Sequence, residues 1–479
     1  MRSPARSVLT TERTLGAGRV VRYGSKAAYR EVVELAGEPH SIRTDFASGD
    51  VALASEAIVC IAHLTDLHVT DAQSPARFEF VNREWQDPRF RELLTMHRPQ
   101  EMLNTHAIAA MVRTINAVQS APLTGSPLQL AVMTGDAVDN TQHNELTNFL
   151  ALLNGGTVRP DSGAPGYDGV QRTDWPGDIY WKPDGPEAGD VFQSGLGFPT
   201  RPGLLDEAAQ PFPSEGMRLP WLRCWGNHEQ ACQGVGIVTP ALAAAMTGSR
   251  KPIEMPPGLD ADIAVETFMN QPELFMTGDY LEVAADPQRR HIERQDLMPE
   301  SYYVHDLGPV RLIMLDTVCD AGGADGSIDE VQLAWLQRRL EEERERYIVI
   351  LSHHGLDSLS NPRGERRGPE LFELLSRFPN VILWLNGHIH ANRIQARTGF
   401  WEVTTGSLVD WPCQARLIEI FRTRDDQLAI ACTMVDHDGK GLAGLHRELA
   451  ANVPLNGFDS WRPGTPADRN AILLLPRPF

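Results

Sequence analysis

Apolar residues along this chain fall into short unbroken runs and into stripes at helical spacing, separated by polar clusters and long irregular stretches. Residues 57–65 form the first strong run, and its nearly continuous apolar character predicts a strand covered on both faces. Residues 100–118 place Met102, Leu103, Ile108, Met111, Val112 and Ile115 on one stripe, which predicts an amphipathic helix. A second buried strand is predicted at 128–134, a helix near 144–153, and another strand at 219–225. An Ala-rich helix is expected over 240–246, with strands at 301–305 and 310–316. The helix predicted at 329–346 turns Val331, Leu333, Leu336 and Leu340 inward, and the charge run 341–346 reads as a solvated face. Strands follow at 347–352, 381–385, 401–405, 415–421 and 427–435. The apolar tail 471–476 reads as a last strand or docking segment. No internal repeat is visible, which excludes solenoids and propellers. Strands and helices alternate first and a run of strands ends the pattern, so a layered α/β fold with a mixed β-sandwich core is expected.

Three stretches break the periodicity. Residues 1–50 are polar, with Gly16, Gly18 and Gly24, and read as an irregular N-terminal arm. Residues 154–219 are rich in Gly, Pro, Asp and Trp, yet carry Trp175, Tyr180, Trp181 and Phe192, so an ordered, loop-rich excursion is expected. Residues 233–300 form another.

Five polar clusters each follow directly on an apolar run: Asp66-Leu67-His68, Gly135-Asp136, Gly226-Asn227-His228-Glu229, His353-His354 and Gly387-His388-Ile389-His390. The carboxyl ends of strands are where open α/β sheets place their ligands. Asp66 and His68 are two residues apart, as are His388 and His390, so on extended backbone each pair points to one side and could clasp one ion. The glycines at 135, 226 and 387 allow sharp turns and a close backbone approach. Taken as ligands, Asp66, Asp136, Asn227, His68, His353, His388 and His390, two Asp, one Asn and four His without a thiolate, suit divalent Mn, Fe or Zn. So many ligands exceed one tetrahedral zinc site, and two metal ions sharing a bridging Asp is the economical reading.

In this order the clusters resemble the D-x-H, G-D, G-N-H-E, H and G-H-x-H signature of the calcineurin-like metallophosphoesterase superfamily, over roughly residues 57–435. The resemblance implies a four-layer α/β/β/α sandwich with long loop-rich insertions. Residues 51–440 would be the catalytic domain, with inserts at 72–100, 154–219 and 233–300, between the arm 1–50 and a C-terminal extension 441–479. It further implies a phosphoric ester hydrolase, a phosphatase or phosphodiesterase for a small substrate, acting through a hydroxide shared by two ions. By that likeness Asp66, His68 and His390 would hold the first metal, and Asn227, His353 and His388 the second. Asp136 would bridge them, His228 would act as general acid, and Asp139 would orient it. His353 is preferred to His354 because it comes straight after the strand. Asn140 stands where the phosphoprotein phosphatases of this superfamily carry an Arg, and the inserts are long, so substrate does not carry over with the metal site.

Other residues receive plainer readings. His97, His106 and His291 are expected to be core or surface histidines, His63 to pack inside, and His143 to be a possible partner behind a ligand. Asp71 and Arg77 read as substrate contacts or, more simply, as surface loop residues, and Trp411 and Pro412 as packed or site-lining. The insert aromatics Phe78, Phe80, Trp85, Trp175, Tyr180 and Trp181 are expected to wall a capped pocket. A formal net charge of −19 argues against nucleic acid as partner but not against a small anion at a metal site. No apolar stretch is long enough to span a bilayer, and Glu12 and Arg13 follow Arg2 and Arg6 too soon for a secretory core. Cys60, Cys224, Cys232, Cys319, Cys413 and Cys432 form no C-x-x-C pair, which disfavours structural zinc and suggests a reducing, cytoplasmic setting. The rival readings are a non-catalytic metal-binding protein of the same fold, and a nuclease.

Overall fold

The structure, a computed structural model, describes residues 8–47, 56–90, 96–277, 279–293, 296 and 300–479. Arg2, Arg6 and parts of the 1–50 arm and of the 72–100 and 233–300 inserts lie outside the described residues.

Two sheets pack face to face. The larger has seven strands in the spatial order Ser41–Arg43, Ala471–Leu475, Leu428–Asp436, Gln414–Arg422, Glu56–Leu64, Leu130–Thr134 and Trp221–Cys224. The smaller has six, in the order Tyr303–Leu307, Val310–Met314, Tyr347–Leu351, Val381–Asn386, Trp401–Thr404 and Arg393–Ala396. Strand alternation builds the layers, since successive side chains face opposite ways. Val59 and Ile61 meet Val349, Leu351, Leu383 and Leu385 of the other sheet in one central core. Cys60, Ala62 and Leu64 face outward onto the helices Asn104–Ala117 and His143–Asn154 through Ile108, Met111, Phe149 and Leu152. On the far side Ile348 and Ile350 pack under the helices Glu330–Glu342 and Gly368–Ser376 through Leu336, Leu340, Leu371 and Leu375. The result is the expected α/β/β/α sandwich, and it explains why strands such as 347–351 read as unbroken apolar runs.

The start of the chain differs from expectation. Instead of an irregular arm, Arg13–Tyr23 and Ala28–Ala36 form an antiparallel hairpin, and Ser41–Arg43 joins the large sheet beside Ala471–Leu475. The apolar tail thus becomes a strand inside that sheet, and the helix Gly441–Ala451 packs near the hairpin through Leu449 and Tyr29. The 154–219 excursion is ordered, closed at its base by the short pair Gly156–Val158 and Phe212–Ser214.

The insert aromatics do not wall a pocket. Phe78 and Phe80 pack with Phe268 and Phe275, Trp175 and Tyr180 pack with Ile253, and Trp181 packs with Phe198. The inserts therefore spend these rings on cores of their own; only Trp85 of the six is exposed, at 54%.

Candidate metal centre

Three of the polar clusters leave the carboxyl ends of neighbouring parallel strands of the large sheet, Glu56–Leu64, Leu130–Thr134 and Trp221–Cys224. The other two leave the parallel strands Tyr347–Leu351 and Val381–Asn386 of the small sheet. Side chains from both sheets meet at this edge, and Asp66 Oδ2 accepts from the backbone N–H of His388 at 3.1 Å across it.

The pairs do not converge on extended backbone as expected. Asp66, His68, Asp136, His388 and His390 all have positive φ, between 43° and 69°. Non-glycine residues in that region cost about 1–3 kcal/mol each and persist only where surrounding packing over-determines them. Fully burying one Val, Leu or Ile contributes about 1.5–3 kcal/mol, so the buried strands feeding these loops can offset the strain. Sharp left-handed kinks, rather than strand alternation, turn both members of each pair inward. The glycines serve close approach: a Cβ at Gly226 would fall on the Asp136 carboxylate, and one at Gly387 on Thr65 Oγ1 and Asp66 Oδ2.

Asp66, His68, Asp136 and His390 are buried, with ligand atoms within 4.8 Å of one another. His390 Nε2 lies 3.2 Å from Asp66 Oδ1, and His68 Nε2 lies 3.6 Å from Asp136 Oδ2. That same Asp136 oxygen is 3.2 Å from His353 Nε2, whose ring also meets Asn227 Oδ1 at 3.0 Å. His353 and His388 stand with ring centroids 5.1 Å apart. Asp66 Oδ1 is buried and makes no hydrogen bond of good geometry, although His390 Nε2 stands 3.2 Å away, which in a native protein calls for an explanation. A cation would supply one, and the oxygen and imidazole donors around it fit such a group.

Proximity alone does not choose between the adjacent histidines, because a ligand atom of His354 also lies within 4.8 Å of those of His353 and His388. Hydrogen bonds do separate them. His353 Nδ1 donates to Thr134 O at 2.7 Å, which leaves Nε2 facing the cluster. His354 has both nitrogens engaged outside the cluster, with Thr317 Oγ1 and Ala324 O, each at 2.9 Å, whereas the second partner of His353 is Asn227, itself a member of the cluster. Replacing His353 with Ala is therefore expected to lower bound metal per chain, whereas His354→Ala should leave the count intact and alter kinetics. Metal analysis of both variants checks this, and the reverse result moves the ligand to His354.

Charge inside the cluster is tightly balanced. Burial pushes Asp136 toward its neutral form, but His353, His228 and His68 outweigh it and hold its pKa well below the usual range. Burial likewise opposes charge on His353, yet Asp136 and Asp66 raise it to about 9. Burial, reinforced by His353, lowers His388 to about 3. His228 is also raised, against burial, by Asp136 and Asp139. Its Nδ1 sits 2.8 Å from Asp139 O and 3.4 Å from Asp139 Oδ1, its ring lies edge-on to His68, and its side chain keeps 17% exposure. Asp139 Oδ1 also faces His68 Nδ1 at 3.2 Å, so one carboxylate serves both histidines.

Several supporting residues carried little or no sequence signal. Glu229 accepts from the backbone N–H groups of Asp136 and Ala137 at 3.1 and 2.6 Å, and so clamps the second loop to the third. Asp410 accepts from His390 Nδ1 at 2.6 Å while Arg98 and Asn456 bond its other side. A carboxylate behind a ligand imidazole fixes its ring and tautomer, and losing one commonly costs about 10–100-fold in metal affinity. Asp410→Asn is expected to weaken binding by about that factor, measured by metal titration; unchanged affinity would remove Asp410 from the site. Arg77 and Asp71 prove buried, not surface loop residues. His63 is buried between Thr134 and Thr405. His143 starts its helix with the ring on Gln288 and supports no ligand, and Trp411 packs on Phe458. His97, His106 and His291 belong to none of the five clusters: His97 bonds Glu101, His106 bonds Ala208 O, and His291 bridges Gln142.

Residues 188–392 match the family model described as calcineurin-like phosphoesterase, a stretch that includes Asn227, His228, His353, His388 and His390. The chain is 32% identical over 110 residues to a 3',5'-cyclic adenosine monophosphate phosphodiesterase of Pseudomonas aeruginosa, covering 22% of this chain and 39% of that protein. It is 36% identical over 93 residues to a probable cyclic nucleotide phosphodiesterase of Synechococcus, covering 18% of this chain and 35% of that protein. The chain thus spans well under half the length of these curated relatives. Among solved structures, a dimetal phosphatase from Danio rerio aligns over 80% of this chain and 99% of that one, with 11% identity and a TM-score of 0.36.

Proposed function

We propose that this chain, which carries the calcineurin-like phosphoesterase match over residues 188–392, is a metal-dependent hydrolase of a small phosphoester. The observation that carries this reading is the Asp136 carboxylate, which faces His68 from one ligand group and His353 from the other, beside the buried Asp66 carboxylate. Asp66, His68 and His390 would hold one divalent ion, Asn227, His353 and His388 a second, with Asp136 shared. When bound, such ions polarise phosphoryl oxygens and make a water-derived nucleophile available at neutral pH.

The chain's own groups do the rest. Asp139 fixes His228 through Nδ1, which leaves Nε2 free to pass a proton to the leaving oxygen. Burial disfavours the charged ring of His228, but Asp136 and Asp139 outweigh it and raise its proton affinity, as a proton donor needs. Nearly every other group in the cluster is buried, which suits a small substrate over a polymer. No helix among the described residues is long and apolar enough to cross a membrane. All six cysteines are buried free thiols, which supports a cytoplasmic setting.

The relatives' names put 3',5'-cyclic nucleotides first on the substrate panel. Manganese-loaded protein should be assayed on these, on aryl phosphodiesters and monoesters, on nucleotides and on single-stranded DNA. Turnover of at least one small ester is expected. Activity on DNA alone would make the chain a nuclease, and none on any substrate at full metal load would leave a metal-binding protein.

A further inference from the structure

Beside the metal cluster, within the insert that follows the first motif, lies a second buried knot of charge. Glu79, His97 and Glu101 bring three ligand-type atoms within 4.8 Å of one another, as a metal site would. Both carboxylates, however, already face cations. Arg77 Nε donates to Glu79 Oε2 at 3.0 Å, Arg77 Nη2 donates to Glu101 Oε2 at 2.7 Å, and Lys251 Nζ pairs with Glu79 Oε1. The knot is therefore neutralised from within, and its unusual feature is where its remaining donor points.

Arg77 Nη1 donates to Asp139 Oδ2 at 2.6 Å. Asp139 Oδ1, the other oxygen of that carboxylate, is the one that faces His68 and His228. Arg77 is 1% exposed, and its fork is held on three sides by Glu79, Glu101 and the carbonyl of Met96. A guanidinium locked in a planar fork fixes its acceptor in direction as well as distance. Asp139 thus has one carboxylate oxygen pinned by the insert and one presented to the histidines, 3.2 Å from His68 Nδ1 and 3.4 Å from His228 Nδ1, while its main-chain carbonyl accepts from His228 Nδ1 at 2.8 Å. Gln233, from the later insert, adds to the clamp: it accepts from Phe78 N at 2.9 Å and reaches Asp139 Oδ2 at 3.5 Å.

We propose that Arg77 is a positioning residue for catalysis, which aims Asp139 and, through it, His228 at the leaving group. This rests on His228 being the general acid. The two inserts then have a role in chemistry beyond covering the site: their buried charges set the geometry of the acid. Misplacing a reacting group by an ångström costs on the order of 10²-fold. At saturating metal, since Asp139 also backs His68, Arg77→Met is expected to lower kcat by about that factor for esters of poorly acidic alcohols, with KM little changed, and to spare nitrophenyl esters.

The test compares Arg77→Met, Arg77→Lys, His228→Ala and the double variant Arg77→Met/His228→Ala on aryl and alkyl phosphodiesters graded by leaving-group acidity. Arg77→Lys keeps a cation but loses the fork, and it stands in should the Met variant fold poorly. If Arg77 acts through His228, either Arg77 variant steepens the dependence on leaving group as His228→Ala does, and the double variant is no worse than His228→Ala. An equal loss on every ester, or a full additive loss in the double variant, overturns the proposal. Should His228→Ala itself show no dependence on leaving group, the general-acid reading fails first. If His228→Ala shows that dependence and the Arg77 variants do not, this inference alone fails.

Discussion

Asp136→Asn should leave a folded protein that binds both ions weakly and turns over almost nothing. The substitution keeps shape: an amide oxygen can still accept from His228 N, as Asp136 Oδ1 does at 2.9 Å. What it removes is the negative charge between His353 Nε2 at 3.2 Å and His68 Nε2 at 3.6 Å, the place where the two ligand groups touch. On the proposed reading one carboxylate would serve two ions, so the loss would be common to both sites, and removing a member of a group that acts as a unit costs nearly the whole rate. A fall of at least about 10³-fold in kcat/KM is expected, together with reduced metal at both positions. Steady-state kinetics and metal analysis on the same preparation check it. Two tightly held ions and full activity in the variant would remove Asp136 from the bridge.

His228→Ala is the second large effect, and it differs in kind. The ring holds no position in the ligand groups built from Asp66, His353 and His388, so both ions should stay. A general acid contributes about 10²–10⁴-fold, and the loss falls on leaving groups that need a proton. Alkyl and nucleoside esters should therefore suffer by that factor, while nitrophenyl esters, whose alcohol leaves readily as an anion, should be affected far less. Kinetics on the two ester types side by side check this. An equal loss on both would mean that His228 binds or orders the site without donating a proton.

The sandwich was legible in the sequence for a physical reason. Strands such as Tyr347–Leu351 and Val381–Asn386 are covered on both faces, so nearly every position is apolar and the run stands out. The polar clusters were legible because each interrupts such a run at its carboxyl end. Their geometry was not, since sequence spacing suggests alternation on extended backbone while the chain uses positive-φ kinks at Asp66, His68, Asp136, His388 and His390. The hairpin Arg13–Tyr23 and Ala28–Ala36 was missed because it is only half-buried and its apolar residues are broken by Gly16, Gly18 and charged side chains. Arg77 was misread because a charged residue in a loop is usually solvated; only its three carboxylate partners, two of them in the same insert region, make it a buried one. Asp410 left one faint signal, an acidic residue inside the apolar stretch 408–413, and a buried carboxylate needs a partner.

The central claim is a pair of ions held by one shared carboxylate and used for phosphoester hydrolysis. It is tested most directly by titrating metal-free protein with Mn²⁺ while counting bound metal per chain and following hydrolysis of an aryl phosphodiester. Two equivalents are expected to bind, with activity rising as the second is taken up. Saturation at a single equivalent, or two bound ions with no turnover of any small phosphoester, would contradict it.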